Sequence, residues 1–272
     1  MKKIILSITA SLLLLQVSAQ NVKPFQQGDR VAFVGNSITD NGHYHSYIWL
    51  YYMTRFPNRR IEIFNGGIGG DDVKNIDTRI QQDVFARKPN IMTLTFGMND
   101  SGYSEYLAPD AAEKSKAKIQ KCYDNYQSLQ KKLIDHPEIK KIIIASSPYD
   151  QTAKIKTKPF PKKNDAIVKI AEFQEASAKK NNWGFIDFQR PMTAINIREQ
   201  QTDSAFTLCG RDRIHPDNNG HLVMAYLFLK GQGLANYDVA DVNIDAAAKK
   251  VKVAVNCTVT NLVSSPKLVK FD

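Results

Sequence analysis

The chain has 272 residues, of which 43% are hydrophobic and 24% charged, and its formal net charge is +10. This composition is typical of globular proteins and excludes collagen, coiled-coil and intrinsically disordered chains. The lysines lie singly or in short pairs on predicted helices, without interleaved aromatic residues, so the positive charge does not indicate nucleic-acid binding. The length suits one large domain, alone or with a small addition.

The first 20 residues have the pattern of an export signal. Two lysines follow Met1, an apolar run covers residues 4–15, and Val17 and Ala19 occupy positions −3 and −1 of a cleavage site. The apolar run is too short to span a membrane comfortably. We therefore predict a signal peptide over residues 1–19, an exported mature protein and no stable membrane insertion after cleavage. An uncleaved anchor or a buried helix is the alternative.

Short apolar runs alternate with helical patterns through the next 210 residues. Buried strands are predicted at residues 30–34, 61–64, 91–96, 142–145 and 183–188. Helices are predicted at residues 46–55, 72–86, 111–135, 164–180 and 218–230. This alternation indicates βαβ units and predicts an α/β fold, a three-layer α/β/α sandwich around a central parallel sheet. Ligands of such sheets bind at the carboxyl ends of the strands.

The pattern changes near residue 238. Residues 251–255 alternate apolar and polar side chains with a period of two, and residues 268–271 do so more weakly. We therefore predict a main domain over residues 20–237. Residues 238–272 are predicted as a β-rich appendage or as the start of a truncated module.

Three cysteines, Cys122, Cys209 and Cys257, leave at least one thiol unpaired. One disulfide is possible, and the sequence does not assign it. The chain has no C-x-x-C motif, so neither a zinc ribbon nor a thioredoxin-like site is supported.

Four polar segments stand out, three directly after predicted strands and one before the last predicted helix. They are GNSITD at residues 35–40, NGGIGGD at residues 65–71, GMND at residues 97–100 and DRIHP at residues 212–216. In this order the four segments resemble the SGNH (GDSL-type) esterase family, which is named for its signature Ser, Gly, Asn and His. The resemblance covers about residues 28–235 and implies a flavodoxin-like SGNH hydrolase domain with a catalytic triad and with neither a cofactor nor a metal.

The candidate triad consists of Ser37, His215 and Asp212. A serine hydroxyl is a poor nucleophile until a base takes its proton. The resemblance makes Ser37 the nucleophile; the alternative is a helix N-cap. His215 is the candidate base, because imidazole titrates near neutrality. Asp212, three residues earlier, can orient that imidazole. The alternative for these two residues is a surface Asp–His turn.

The resemblance assigns an oxyanion hole to the backbone N–H groups of Ser37 and Gly70 and to the side-chain amide of Asn99. Such donors stabilise negative charge that develops on the reacting oxygen. Alternatively, the glycines around Gly70 form only a flexible turn. The sequence departs from the family at Asn36, where the usual residue is Asp. We expect this change to retune the turn around Ser37.

Signals for the substrate are few. Aromatic residues crowd the segment after Ser37, and they either line a pocket or, as is more common, form the core face of a helix. These residues are Tyr44, Tyr47, Trp49, Tyr51 and Tyr52. His43 and His45 lack further ligands at metal-binding spacing, and His221 is interpreted as structural. The loops at residues 103–109 and 148–161 are long enough to shape the rim of a crevice.

We therefore predict an exported serine esterase that works through an acyl-enzyme, with a carbohydrate O-acetylesterase as the first choice. No long apolar lid is evident, which favours small acyl groups over lipids. A lipase or lysophospholipase is the alternative enzyme, and a non-catalytic glycan-binding protein on the same fold is the alternative class. The expected partner is a small-molecule or glycan ester; the oligomeric state is left open.

Overall fold

A computed structural model describes residues 22–236 and 238–272, so the predicted signal peptide lies outside the described residues. Its centre is a five-stranded sheet with the strand order β2-β1-β3-β4-β5. The strands are β1 (Arg30–Gly35), β2 (Glu62–Gly67), β3 (Ile91–Phe96), β4 (Lys140–Ala145) and β5 (Gly184–Asp187). Every neighbouring pair is parallel, which confirms the predicted parallel sheet.

Helices follow the strands along the chain. They are α1 (Ser37–Asp40), α2 (His43–Arg55), α3 (Val73–Asp83), α4 (Ala111–Ile134), α5 (Lys163–Lys180), α6 (Gln189–Glu199) and α7 (Asn218–Gly231). The sequence did not predict α1 or α6. One turn is too short to show a period, and the buried face of α6 consists of Gln189, Met192 and Asn196, so it carries little apolar signal.

The two faces of the sheet are covered by different helices, as the alternation along β1 requires. Val31 and Phe33 share a buried core with residues of α2 and α7. Ala32 and Val34 point to the other side and share a second core with residues of α3, α4 and α5. The result is the predicted three-layer sandwich.

The strand order reverses beside β1, because the chain runs from β1 outward to β2 and then returns to place β3 on the other side of β1. In open α/β sheets, ligands bind outside the carboxyl ends of the strands at such a reversal. The end of β2 also lies tightly against α1. A Cβ atom on Gly67 would lie 2.3 Å from the backbone nitrogen of Asp40, so only glycine fits there.

The last 32 residues form two small antiparallel sheets. One pairs β6 (Asp241–Asp245) with β7 (Lys250–Val255), and the other pairs β8 (Val263–Ser265) with β9 (Leu268–Lys270). The predicted strands correspond to β7 and β9, whereas β6 and β8 were not predicted. A β appendage is therefore present, and its domain boundary near residue 237 stays a prediction.

All three cysteines lie within the described residues, and each is a free thiol. Burial raises the pKa of the Cys209 thiol to about 12 and also raises the pKa of Cys122. The disulfide that the sequence left possible is not formed. Over the described ranges, no helix is long and apolar enough to cross a membrane.

His221 is a buried core residue of α7, with 1% of its surface exposed. Its ring stacks on Tyr44 at a centroid distance of 6.1 Å, and neither ring nitrogen has a hydrogen-bond partner among the described residues. Burial, together with a smaller effect of the neighbouring His43 and His45, lowers the pKa of His221 to about 4. The histidine is therefore held neutral in the folded protein.

Because His221 is buried and neutral, we predict that the free energy of unfolding falls as the pH drops from 6.5 towards 4. In that window the unfolded chain protonates His221 and the folded chain does not, so the proton favours unfolding. The full difference is at most about 3 kcal/mol. His221→Phe keeps an aromatic ring and should flatten this dependence. Urea unfolding of both proteins at pH 4.5 and 7.5 measures it, and equal pH slopes would contradict the prediction.

Candidate active site

Ser37 is presented by the turn that joins β1 to α1. Asn36 is the N-cap of α1, and its side-chain oxygen accepts a hydrogen bond from the Ile38 N–H at 3.1 Å. Ser37 is the first residue of the helix, so the N-cap alternative for Ser37 is wrong. A backbone N–H at this position has no acceptor within its own helix and can serve a ligand.

The departure from the family pattern at Asn36, where the family has Asp, leaves the turn before Ser37 intact. The residue is 2% exposed, and its neutral amide still provides the capping oxygen. A buried carboxylate at this place would need a compensating charge, whereas an amide does not. The turn is therefore preserved without a negative charge beside Ser37.

The structure brings Ser37, His215 and Asp212 into one continuous contact. The Ser37 hydroxyl oxygen lies 2.7 Å from Nε2 of His215, and Nδ1 of the same ring lies 2.6 Å from Oδ2 of Asp212. These residues come from the carboxyl edge of the sheet and from the loop that precedes α7. The geometry matches a hydroxyl, a base and a carboxylate that orients the base.

Asp212 uses its two oxygens for two tasks. Oδ2 contacts the imidazole, while Oδ1 accepts the backbone N–H groups of Ile214 and His215, both at 2.9 Å. Partial burial works against ionisation, but these hydrogen bonds outweigh it and hold the pKa of Asp212 below its usual range. At neutral pH the group is therefore a carboxylate, which favours a proton on Nδ1 of His215.

Gly70 and Asn99 follow β2 and β3, the two strands that flank β1 in the sheet. The Asn99 amide nitrogen donates to the Asp71 carbonyl oxygen at 2.8 Å, which places it beside Gly70. Gly70 has φ +83°, and a Cβ atom there would meet no atom within 4 Å. This backbone conformation strongly favours glycine, and the open space beside it gives a substrate access to the backbone.

A largely buried arginine fixes the glycine-rich loop. Arg79 of α3 contacts Oδ2 of Asp71 through Nε at 2.7 Å and donates from Nη2 to the Gly66 carbonyl at 2.8 Å. The loop that carries Gly70 is thereby tied to the end of β2. Sequence reasoning missed Arg79, because a single arginine on an amphipathic helix resembles an ordinary surface residue.

A second buried arginine holds the loop of Asp212 and His215. Arg213 is 2% exposed and has φ +71°, a left-handed conformation that is costly for a residue with a side chain. Its guanidinium donates to the carbonyl oxygens of Thr157 at 2.7 Å and Asp150 at 2.9 Å. The loop at residues 148–161, which was predicted to shape the crevice rim, therefore supports the segment that carries the predicted base.

Arg213→Ala is expected to lower the free energy of unfolding by about 3 kcal/mol, because two charge-assisted hydrogen bonds are lost and the buried Asp150 carbonyl is left without this donor. Activity should fall as well, since the Asp212–His215 loop loses its anchor. Arg211→Ala, two positions away and exposed, is the control and should change stability by less than about 0.5 kcal/mol. Denaturant unfolding measures both; similar effects for the two variants would contradict this role.

The aromatic segment after Ser37 forms core structure. Tyr44 and Tyr52 are fully buried, and the Tyr52 hydroxyl accepts the Phe25 N–H and donates to the Gln232 side chain. Trp49 is 44% exposed and lies on α2. The pocket interpretation of this segment is therefore wrong for its buried members. Within residues 22–236 and 238–272, no cluster of three His, Cys, Asp or Glu side chains is placed to hold a metal ion.

The fold and this contact define a class: a three-layer α/β protein with a serine, a histidine and an aspartate in contact at the carboxyl edge of a parallel sheet. The chain belongs to the GDSL-like lipase/acylhydrolase family, whose model matches residues 33–223. Membership confirms the resemblance drawn from the four sequence segments and places the chain among hydrolases that act on ester bonds.

The chain is similar to an acetylxylan esterase of Geobacillus stearothermophilus, with 25% identity over 223 residues, or 76% of this chain and 94% of that protein. A solved structure of BT4096, a gut microbial diltiazem-metabolizing enzyme, has 51% identity and a TM-score of 0.89. It matches 93% of this chain, which spans only 57% of its length.

The crystal structure of the Geobacillus stearothermophilus acetylxylan esterase Axe2 has 23% identity and a TM-score of 0.61, and covers 76% of this chain and 95% of its own. Solved catalytic mutants of Axe2 replace one serine, one aspartate and one histidine by alanine. Its aspartate and histidine are three positions apart, the same spacing as Asp212 and His215.

Proposed function

We propose that this chain is a serine esterase that removes acetyl groups from carbohydrates. The observation that carries the proposal is the unbroken contact from the Ser37 hydroxyl through the His215 imidazole to the Asp212 carboxylate, with links of 2.7 and 2.6 Å. The catalytic serine, aspartate and histidine of Axe2 support the same assignment here.

In the first half of the proposed reaction, the Ser37 oxygen attacks the ester carbonyl carbon while Nε2 of His215 takes the hydroxyl proton. Asp212 stabilises the imidazolium that forms. As the tetrahedral intermediate collapses, His215 returns the proton to the leaving alcohol oxygen. The carbon–oxygen bond to the alcohol breaks, and an acyl group remains on Ser37.

In the second half, water replaces the alcohol. Nε2 of His215 takes a proton from the water as its oxygen attacks the acyl carbon, and the second intermediate then collapses to release the acid and the Ser37 hydroxyl. In both halves, negative charge develops on the former carbonyl oxygen. We assign its stabilisation to the N–H groups of Ser37 and Gly70 and to the amide of Asn99.

The carbohydrate acetyl substrate is supported by similarity to the acetylxylan esterase, which matches 76% of this chain. The 51% identity to the diltiazem-metabolizing enzyme favours a second candidate substrate class, small drug-like molecules. Both candidates differ from the lipase alternative in needing no long acyl chain.

Export remains a proposal that rests on residues 1–19. N-terminal sequencing of the protein from the periplasm or the medium of an expressing culture tests it. A mature chain that begins at Gln20 is expected, whereas recovery only as a cytoplasmic chain with its leader would contradict export.

The test of the proposed function combines a label and a substrate panel. A fluorophosphonate should modify the wild-type protein at Ser37, as located by peptide mass spectrometry. The panel contains acetylated xylo-oligosaccharides, diltiazem and the p-nitrophenyl esters of acetate, butyrate and octanoate. We expect turnover of acetyl esters that declines with chain length.

Two other results of these experiments would change the proposed function. A preference for octanoate would favour the lipase alternative. A protein that neither reacts with the fluorophosphonate nor cleaves any ester would contradict an esterase and favour a glycan-binding protein.

A further inference from the structure

The amide of Asn99 is held from both ends by groups of the protein. Its nitrogen donates to the Asp71 carbonyl at 2.8 Å, and its oxygen accepts the hydroxyl of Tyr103 at 2.5 Å. The two bonds fix which end of the amide is which, because a flipped amide would set its oxygen against another carbonyl oxygen. A second N–H on the same nitrogen remains for a ligand.

The Tyr103 ring is fixed in turn by a buried lysine. Lys163, at the start of α5, is fully buried, and its amino group lies 3.9 Å from the centroid of the Tyr103 ring. The same amino group donates to the Met98 carbonyl at 2.7 Å, the Ser101 hydroxyl at 2.6 Å and the Gly102 carbonyl. The segment from β3 to Tyr103 thus wraps around one side chain.

Two more contacts hold this segment. The buried Asp100 carboxylate accepts the N–H groups of Val73 at 2.9 Å and Gly97 at 2.8 Å, which ties the segment to α3 and to the end of β3. The Phe160 ring packs edge-on against Tyr103 at a centroid distance of 6.0 Å. The phenol is therefore placed by packing that does not depend on its hydroxyl.

We infer that Tyr103 is a positioning residue for the esterase reaction: its hydroxyl orients and polarises the Asn99 amide so that the free N–H faces the oxyanion. This inference rests on the proposed function of the same site. A hydrogen bond to an amide oxygen makes the amide N–H a stronger donor and prevents rotation. Burial, reinforced by the negative charges of Asp212 and Asp100, raises the pKa of Tyr103 to about 12, so the phenol keeps the proton that it donates.

The test is Tyr103→Phe, which removes only the hydroxyl and keeps the ring against Lys163 and Phe160. We expect kcat for p-nitrophenyl acetate to fall about 10-fold with KM within about 2-fold, because the lost bond acts in the transition state. Tyr126→Phe is the matched control. Tyr126 is fully buried, and its hydroxyl lies 2.8 Å from the Ser177 hydroxyl, away from this segment, so kcat should stay within about 2-fold.

A double-mutant cycle separates positioning from direct contact with the substrate. Asn99→Ala should lower kcat by about 10²–10³-fold. Adding Tyr103→Phe to Asn99→Ala should cause no further loss, since Tyr103 acts through the missing amide. Melting temperatures of all variants show whether they remain folded.

Three results would overturn the inference. These are an unchanged kcat in Tyr103→Phe, a change confined to KM, or a further 10-fold loss in the Asn99→Ala background. An inert wild-type protein that fluorophosphonate does not label would instead contradict the proposed function, and the inference would fail with it.

Discussion

Ser37→Ala is expected to lower kcat for acetyl esters by roughly 10⁵–10⁶-fold and to leave the protein folded. The variant loses the atom that forms the acyl-enzyme in the proposed reaction, and in serine hydrolases loss of the nucleophile alone removes most of the catalytic advantage. The Ser37 hydroxyl contacts His215 and the side chain does not cap α1, so the fold has little need of it. The melting temperature should change by less than a few degrees.

The matched control for this variant is Ser46→Ala. Ser46 is an exposed serine of α2 whose hydroxyl donates to the Gly42 carbonyl. Its loss should leave both kcat and fluorophosphonate labelling unchanged. Suppose that purified Ser37→Ala is not labelled by the fluorophosphonate but keeps more than about 1% of wild-type activity. This result would show that another group attacks the ester carbonyl.

Asp212→Asn is expected to lower kcat by about 10⁴-fold with only a small change in stability. An asparagine oxygen can still accept the N–H groups of Ile214 and His215, so the turn should persist. The amide nitrogen would then face Nδ1 of His215 and require an unprotonated nitrogen there. The proton would reside on Nε2, which could no longer accept the Ser37 proton.

Asp217→Asn provides the control. Asp217 is the N-cap of α7, two residues after His215, and its carboxylate accepts the N–H groups of Asn219 and Gly220. Asparagine caps helices about as well as aspartate, so the equilibrium constant of unfolding and kcat should each change by less than about 3-fold. If both substitutions reduce kcat equally, general loss of negative charge explains the effect, and the tautomer argument is wrong.

The sequence predicted the sheet and the placement of the polar segments for a physical reason. Strands buried on both faces form continuous apolar runs, as at residues 31–34, and polar residues directly after them must lie at one edge of the sheet. The proximity of Ser37, Asn99 and the Asp212–His215 loop follows from this topology and from the order of the four polar segments, which resembles that of the family. The distances within the contact required the three-dimensional structure.

The supporting residues could not be predicted in the same way. Arg79, Arg213 and Lys163 have charges that usually indicate a solvated surface. Arg213 and Lys163 are buried and Arg79 is largely buried, because carbonyl groups from other segments converge on each of them. No local sequence pattern reveals such convergence. Tyr103 was assigned only to a crevice rim, because its bond to Asn99 depends on how the intervening turn folds.

The contact between Ser37 and His215 joins residues 178 positions apart. Closing so long a loop is entropically costly until the intervening sheet and the pairing of α2 with α7 have formed. A nascent chain that has not yet reached residue 215 carries an inert serine, and an unfolded full-length chain does too. Esterase turnover therefore reports the completion of folding.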